Sequence, residues 1–357
     1  MSGEIEGGQS VDTAKAVGGD PLMEKLLIID EAPVDCPDRG SAEGLAPVRD
    51  LPAADVPAIP LGRGDRLDAY VRRTLLQQER AIAKKYYEMG QKQMWRYVAL
   101  TVVGFAVWAS LLPLTILKIV PLWAAFIASS LLTTGGYIVA HEAIHDNMGR
   151  KGSKGRFWNQ LVGYLGMFPL LLPYKIAQIT HLEHHKWTND PLRDPDYPDI
   201  APTLPAAIFK YWLNRQPGKT SQLHHIRRIM VEEIGTPEAK KAFRNAILMY
   251  IAGMFFFIAM AQAGYAIEVA CCWWLPRWTG LGHIRVGLSW EPHSPHDDTS
   301  RYGNTRLFQA NFYPLSYWIE GHLGHHLYPN IPAHLCKPML AEMRPILEQR
   351  GVDYTHF

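Results

Sequence analysis

Cysteine is scarce in this chain. Four occur among 357 residues, Cys36, Cys271, Cys272 and Cys336, with no paired spacing and no CxxC. A disulfide scaffold, a zinc ribbon and a dithiol redox centre are excluded as readings. Net charge is small too, +2 with histidine neutral, and gives no reason to expect a nucleic-acid partner. An export signal is also missing. The run Leu26-Leu27-Ile28-Ile29 is too brief for an apolar signal core and follows acidic rather than basic residues, so no cleavable leader is expected.

What is present is unevenly spread. Residues 1–65 hold thirteen Asp or Glu against five Lys or Arg, together with nine Gly and seven Pro. Such a segment cannot bury enough apolar surface to offset its chain entropy, and it reads as a disordered acidic arm. Residues 66–95 mix charge with Leu, Ile and Tyr at roughly helical spacing. They predict a cytosolic or interfacial helix, with one face packed on the rest of the protein or lying on lipid.

Long uncharged runs follow. Residues 97–117 and 119–140 carry no charge and are separated only by Lys118. An α-helix needs ~20 apolar residues to cross a hydrocarbon core, so the two predict a tight transmembrane hairpin. Lys84, Lys85, Lys92 and Arg96 precede it, and Arg150, Lys151, Lys154 and Arg156 follow it. Flanking positive charge puts both ends in the cytosol. Residues 157–174 are apolar but short and interrupted by Pro169 and Pro173, which predicts an interfacial or re-entrant segment. Residues 246–267 form another full span. A fourth candidate runs from about Arg277 to Trp290, after a turn at Trp273-Trp274-Leu275-Pro276. His283 and Arg285 would then lie at membrane depth, where such residues face a protein interior or polar cavity. The fold class that follows is all-α and integral to a membrane.

Histidine is the abundant residue, with fifteen copies. Eight fall in three groups: His141 and His145 as HxxxH, His181, His184 and His185 as HxxHH, and His322, His325 and His326 as a second HxxHH. Positions i, i+3 and i+4 share one helix face, so each group aims its imidazoles at one point. Neutral imidazole ligates iron, copper, nickel and zinc. A lone histidine is more often a core residue, but three groups beside apolar segments argue for a metal site. An even number of spans between groups keeps all three on one membrane face. Eight ligands exceed the need of one ion and suit two. A ninth is expected at His293 or, three residues on, at His296. His224 and His225 lie in a charged stretch and read as solvated; His283, His334 and His356 have no supporting pattern.

The ordered set from His141 to His145, His181 to His185 and His322 to His326, separated by hydrophobic hairpins, resembles the membrane fatty acid desaturase–hydroxylase superfamily over roughly residues 95–350. The resemblance implies about four transmembrane helices in two hairpins, with a cytosolic helical cap holding a histidine-rich dimetal site, over a membrane domain at 96–357. It also implies two non-haem Fe ions, O2 as co-substrate and a lipid or similarly apolar substrate. The implied ligands are His141, His145, His181, His184, His185, His322, His325 and His326, with the extra histidine of many members falling on His293. The stretch after His185 and the Pro292-His293 pair are similar to carotenoid hydroxylases and ketolases as well, whereas the full HxxHH at His322 leans towards acyl-chain enzymes. Desaturation of a fatty acyl lipid is therefore the expected activity, with hydroxylation or ketolation of a carotenoid or other lipid as the alternative. No His-Pro-Gly-Gly run of a fused cytochrome b5 occurs, so a separate ferredoxin, or cytochrome with reductase, is expected to donate electrons.

Attack on an unactivated C–H bond is beyond any side-chain acid, base or nucleophile and requires a metal–oxygen oxidant. Glu142, Glu183, Asp146, Asp190, Asp194 and Asp196 crowd the groups, and some of them, Asp146, Asp190 and Asp194 foremost, are candidates to orient ligand rings through the free ring N–H. A rival of another class is a membrane zinc protease, since His141-Glu142 and His145 fit HExxH, with Glu142 as base. That reading leaves six histidines unused.

Overall fold

The computed structural model describes residues 69–214, 221–307 and 320–354. The expected acidic arm and His356 lie outside them. Every regular element among the described residues is helical.

Helix α1, Ala69–Gln91, is rich in Ala, Leu, Gln, Glu and Lys, all strong helix formers. Leu75, Glu79, Ala83, Tyr86 and Tyr87 line its buried face. That face packs on the last long helix, Ala333–Gln349. Of the two environments expected for this segment, protein packing therefore takes one whole face.

Helices α2 (Met94–Ile116) and α3 (Leu122–Ile144) form the predicted hairpin. Lys118 turns it with φ 63°. Helix α4, Arg156–Met167, has 12 residues. At 1.5 Å rise it reaches only ~18 Å, too short to cross the hydrocarbon. Pro169 and the left-handed Leu171 end it, and Pro173 opens α5, Tyr174–Trp187. Helix α6 is Leu204–Leu213, and α7, Gln222–Arg227, runs on into a π-helical turn. Helix α8, Pro237–Gln262, is the third long apolar helix.

The fourth candidate segment is part of a longer helical path. A continuous helical path runs as α9 (Ala266–Val269), a π turn, α10 (Leu275–Ile284), a second π turn and a 3-10 turn ending at His293. It begins eleven residues before the expected start, because Trp273-Trp274-Leu275-Pro276 lies inside the helix. Pro276 is tolerated there because the π turn Ala270–Trp274 runs directly into α10, and such local adjustments accommodate a proline inside an apolar helix. Short α11, His322–Leu327, and α12, Ala333–Gln349, complete the chain.

Helices α2, α3 and α8 are long and apolar enough to cross a membrane. Their large outward side chains, such as Val103, Trp123 and Phe255, are exposed, the reverse of a helix that meets water. Helix α3 packs along α2, α4 and α10. Its crossing with α4 is backbone on backbone: a Cβ on Gly166 would stand 2.6 Å from the Gly136 carbonyl oxygen. Small residues permit that approach.

Candidate metal centre

The site starts at the end of α3. The last four carbonyls of a helix lack intrahelical partners. Here Tyr174 Oη and Asn159 Nδ2 donate to the Ala143 carbonyl at 2.7 and 2.9 Å, and Gln178 Nε2 donates to that of Ile144 at 3.0 Å. Side chains from α4 and α5 therefore fix the end carrying His141 and His145 against the helix carrying His181, His184 and His185.

Nine histidines converge there. His141, His145, His181 and His325 form one group, and His184, His293, His322 and His326 a second, the nitrogens within each lying within 4.8 Å of one another. Ligands at ~2.0–2.1 Å from one ion are at most ~4.2 Å apart, so each group is close to the size of a coordination shell. His185 adjoins the first group, its Nε2 2.9 Å from His325 Nε2 and 3.0 Å from His181 Nε2. The Nε2 atoms of His141 and His181 stand 2.8 Å apart, and His293 Nε2 lies 3.2 Å from that of His184 and 3.0 Å from that of His322. His145 Nε2 is buried with no hydrogen-bond partner among the described residues. An orphaned buried ring nitrogen facing other imidazoles fits a ligand.

The electrostatics agree with that donor chemistry. Burial first, then the neighbouring imidazoles, pushes His145, His181, His185, His322, His325 and His326 well below the ordinary histidine range. Rings so affected stay neutral and keep a lone pair for a metal. His184 is the exception. Burial lowers it, but the charge and hydrogen bond of Asp194 outweigh burial and raise it. Asp194 Oδ1 accepts from His184 Nδ1 at 2.8 Å, and the Asn304 carbonyl accepts from His293 Nδ1 at 2.8 Å. Both contacts place the proton on Nδ1 and turn Nε2 inward.

The carboxylates named from sequence divide. Asp194 touches a ligand-type ring. Asp190 does not: its Oδ1 accepts the backbone N–H groups of Leu192 and Arg193 at 2.8 and 2.9 Å in a local turn. Asp146, left-handed at φ 54°, bonds Arg156, Asn159 and Gln178 at 2.8, 3.0 and 3.2 Å; its backbone turns it away from the imidazoles and into the α4–α5 junction. Of the two ninth-ligand candidates, His293 lies within the second group. His296 stands with both ring nitrogens buried and unpartnered among the described residues, outside both groups. His225 is not simply solvated, since its Nε2 lies 2.8 Å from the Asp194 carbonyl.

Glu142 is also differently employed from the base of HExxH. It is 2% exposed. Its carboxylate accepts from Asn147 Nδ2 at 2.7 Å and from the Ala333 backbone N–H at 2.9 Å, capping α12. With His141 and His145 each grouped with two other boxes, the protease reading loses both its base and its isolated zinc pair.

A cavity of about 40 Å³ touches the centre, walled by Tyr137, Ile138, Leu288, His141 and His184, with Asp196 and Ser289 on one side. Arg285, expected to face a polar interior, pairs with Asp196 and, at 3.1 Å, with Asp199. Burial would raise the Asp196 carboxyl, but Arg285 outweighs it and holds it well below the usual carboxylate range. Asp196, one of the carboxylates crowding the histidine groups in sequence, stands in the cavity wall, whereas the ring-orienting carbonyl of Asn304 was not foreseen. The acidic run after His185 was a signal for Asp196, whereas a backbone carbonyl such as that of Asn304 leaves none.

A family profile described as fatty acid desaturase matches residues 117–357, more than half of the chain. The chain belongs to the fatty acid desaturase family. Among named relatives, this desaturase is 24% identical over 290 residues to the sn-1 oleoyl-lipid 12-desaturase of Picosynechococcus sp., covering 74% of this chain and 80% of that protein. It is 23% identical to the chloroplastic omega-6 fatty acid desaturase of Brassica napus, over 71% of this chain and 60% of that one. Identity is also 23% to the sn-1 acyl-lipid omega-3 desaturase (ferredoxin) of Nostoc sp., over 59% and 64%. The desaturase thus spans less than two thirds of the latter two relatives. No solved structure matches it.

Proposed function

We propose that this protein desaturates a fatty acyl chain carried on a membrane lipid, at two non-haem irons held by His141, His145, His181, His185 and His325 and by His184, His293, His322 and His326. The observation that carries this reading is the pairing of two all-imidazole groups against one small cavity. Two of the relatives are named for acyl lipids and the third for a fatty acid, which favours that substrate over a carotenoid, and one is named for ferredoxin, which favours an iron–sulfur donor. Residues 96–357 form the membrane domain, with α1 as a cytosolic helix beside it and 1–65 as a separate acidic arm. Helices α2, α3, α8 and the path from Ala266 to His293 make four crossings, and the site faces the cytosol.

The metals would supply an O2-derived oxidant able to take hydrogen from an unactivated carbon. Overall, one CH2–CH2 unit, O2, two electrons and two protons yield one CH=CH and two waters, the electrons arriving from the separate donor. The chain's own residues bind and orient. Tyr137, Ile138 and Leu288 give an apolar wall for the reacting carbons. Asp194 and the Asn304 carbonyl keep His184 and His293 in the ligating tautomer. The apolar ends of α3 and α10 exclude bulk water.

The test is expression in a host with ferredoxin and its reductase, followed by acyl-chain and metal analysis. A new double bond with two irons per chain is expected. A hydroxylated or ketolated product, unchanged acyl chains with a competent donor, or one zinc per chain would each overturn the proposal.

A further inference from the structure

Glu79 lies on α1, before the first residue matched by the family profile. Its side chain is wholly buried, and a buried carboxylate is costly unless it is paired and hydrogen-bonded. Arg350, itself buried just beyond α12, ion-pairs with it. Two hydroxyls also donate to it: Tyr302 Oη at 3.3 Å to Oε1 and 3.2 Å to Oε2, and Tyr328 Oη at 3.2 Å to Oε2.

Those tyrosines belong to two stretches that meet at the metal centre. Tyr302 stands two residues before Asn304, whose carbonyl orients His293. Tyr328 stands two residues after His326. Arg301, beside Tyr302, donates to the Leu327 carbonyl at 3.2 Å, joining the two stretches again. His293, His322 and His326 supply three of the four nitrogens of the second group. None of the first group's anchors, Asn159, Tyr174 and Gln178, touches Glu79.

We propose that Glu79 is a positioning residue chiefly for the second histidine group: one carboxylate gathers the loop whose Asn304 carbonyl orients His293 and the end of the helix that carries His322, His325 and His326, stretches that give the second group three of its four nitrogens and the first group His325 alone. This rests on the ligand assignment proposed above. A charge-assisted pair is shorter and stronger than a neutral hydrogen bond, so the Arg350–Glu79 ion pair fixes the carboxylate, and the two tyrosine hydroxyls reach it in longer contacts of 3.2–3.3 Å. Helix α1 is then part of the metal-holding cap and not a surface appendage.

The test compares Glu79→Gln with Glu342→Gln in the full chain. Glu342 joins the same two helices through Lys85 and Tyr86, at 2.7 and 3.0 Å, away from both tyrosines. Iron per chain is measured after dialysis against a graded chelator, with thermal midpoint as the readout of packing. Glu79→Gln is expected to lose one of two irons at a chelator concentration about tenfold lower than wild type, at the low end of the effect of a ligand-supporting contact. Glu342→Gln is expected to keep both. Equal iron retention in wild type and Glu79→Gln overturns the inference, as does equal loss in the two variants at matched thermal midpoints. If Glu79→Gln does not fold, Tyr328→Phe decides by the same criteria, since it removes one hydroxyl only. Wild-type protein without two irons would instead sink the ligand assignment itself.

Discussion

A histidine becomes a ligand by where its second nitrogen goes. His184 and His293 have that nitrogen engaged by Asp194 and by the Asn304 carbonyl. Asp194→Asn is expected to lower metal affinity ~10–100-fold while the fold persists; chelator competition on purified protein reads this directly. Asp190→Ala should stay within a factor of two or so of wild type, because its carboxylate serves only a turn. His293→Ala is expected to remove the second iron and all turnover, whereas His296→Ala retains both, a contrast that metal analysis resolves. At this scale the sequence was informative where donors share a helix face. The spacings within 141–145, 181–185 and 322–326 are properties of one helical turn. It was silent where the partner is a main-chain atom or lies across the fold, as with Asn304 and Glu79. Proximity in sequence misled at Asp190, whose nearest donors are the backbone amides of its own loop.

At the scale of elements, the long apolar helices were legible because crossing a bilayer demands an uninterrupted run. The shortness of α4 was legible from Pro169 and Pro173. The path from Ala266 to His293 was not fully so. Its face towards α3 and α6 is protein-packed, so it can carry Arg285 and His283 and tolerate π turns, and hydropathy undercounts it. The α3–α4 crossing gives a sharp test. Gly166→Val would drive a side chain into the Gly136 carbonyl and the Ala140 Cβ, at 2.6 and 2.8 Å from the first carbon alone. Backbone cannot move aside as a side chain can. The expected cost is ~1–3 kcal/mol, seen as a lower thermal midpoint in detergent. Iron should be lost with it, because α3 and the adjoining α5 both carry histidines of the proposed ligand set.

For the whole molecule, the three long helices leave apolar side chains outward along their length. Val103→Asp, at a site 62% exposed on α2, is expected to cost ~2.5–3.5 kcal/mol of insertion and to shift protein from the alkali-resistant membrane fraction into aggregates. Substituting Glu88, exposed on α1, with Ala should leave that fraction unchanged.

The nine clustered imidazoles are drawn from residues spread between 141 and 326. A ribosome delivers the first and last of them, His141 and His326, 185 residues apart. When α5 emerges, the second group has one of its four nitrogens, and it reaches four only once His326 has been made. On the ligand assignment proposed above, the second ion would therefore be captured late in biogenesis, after the apolar helices have been handed to the bilayer, whereas the first group already has His141, His145, His181 and His185 once α5 is made. Through that interval the early histidines stand as an open, incomplete cage, exposed to whichever divalent ion the cell supplies first.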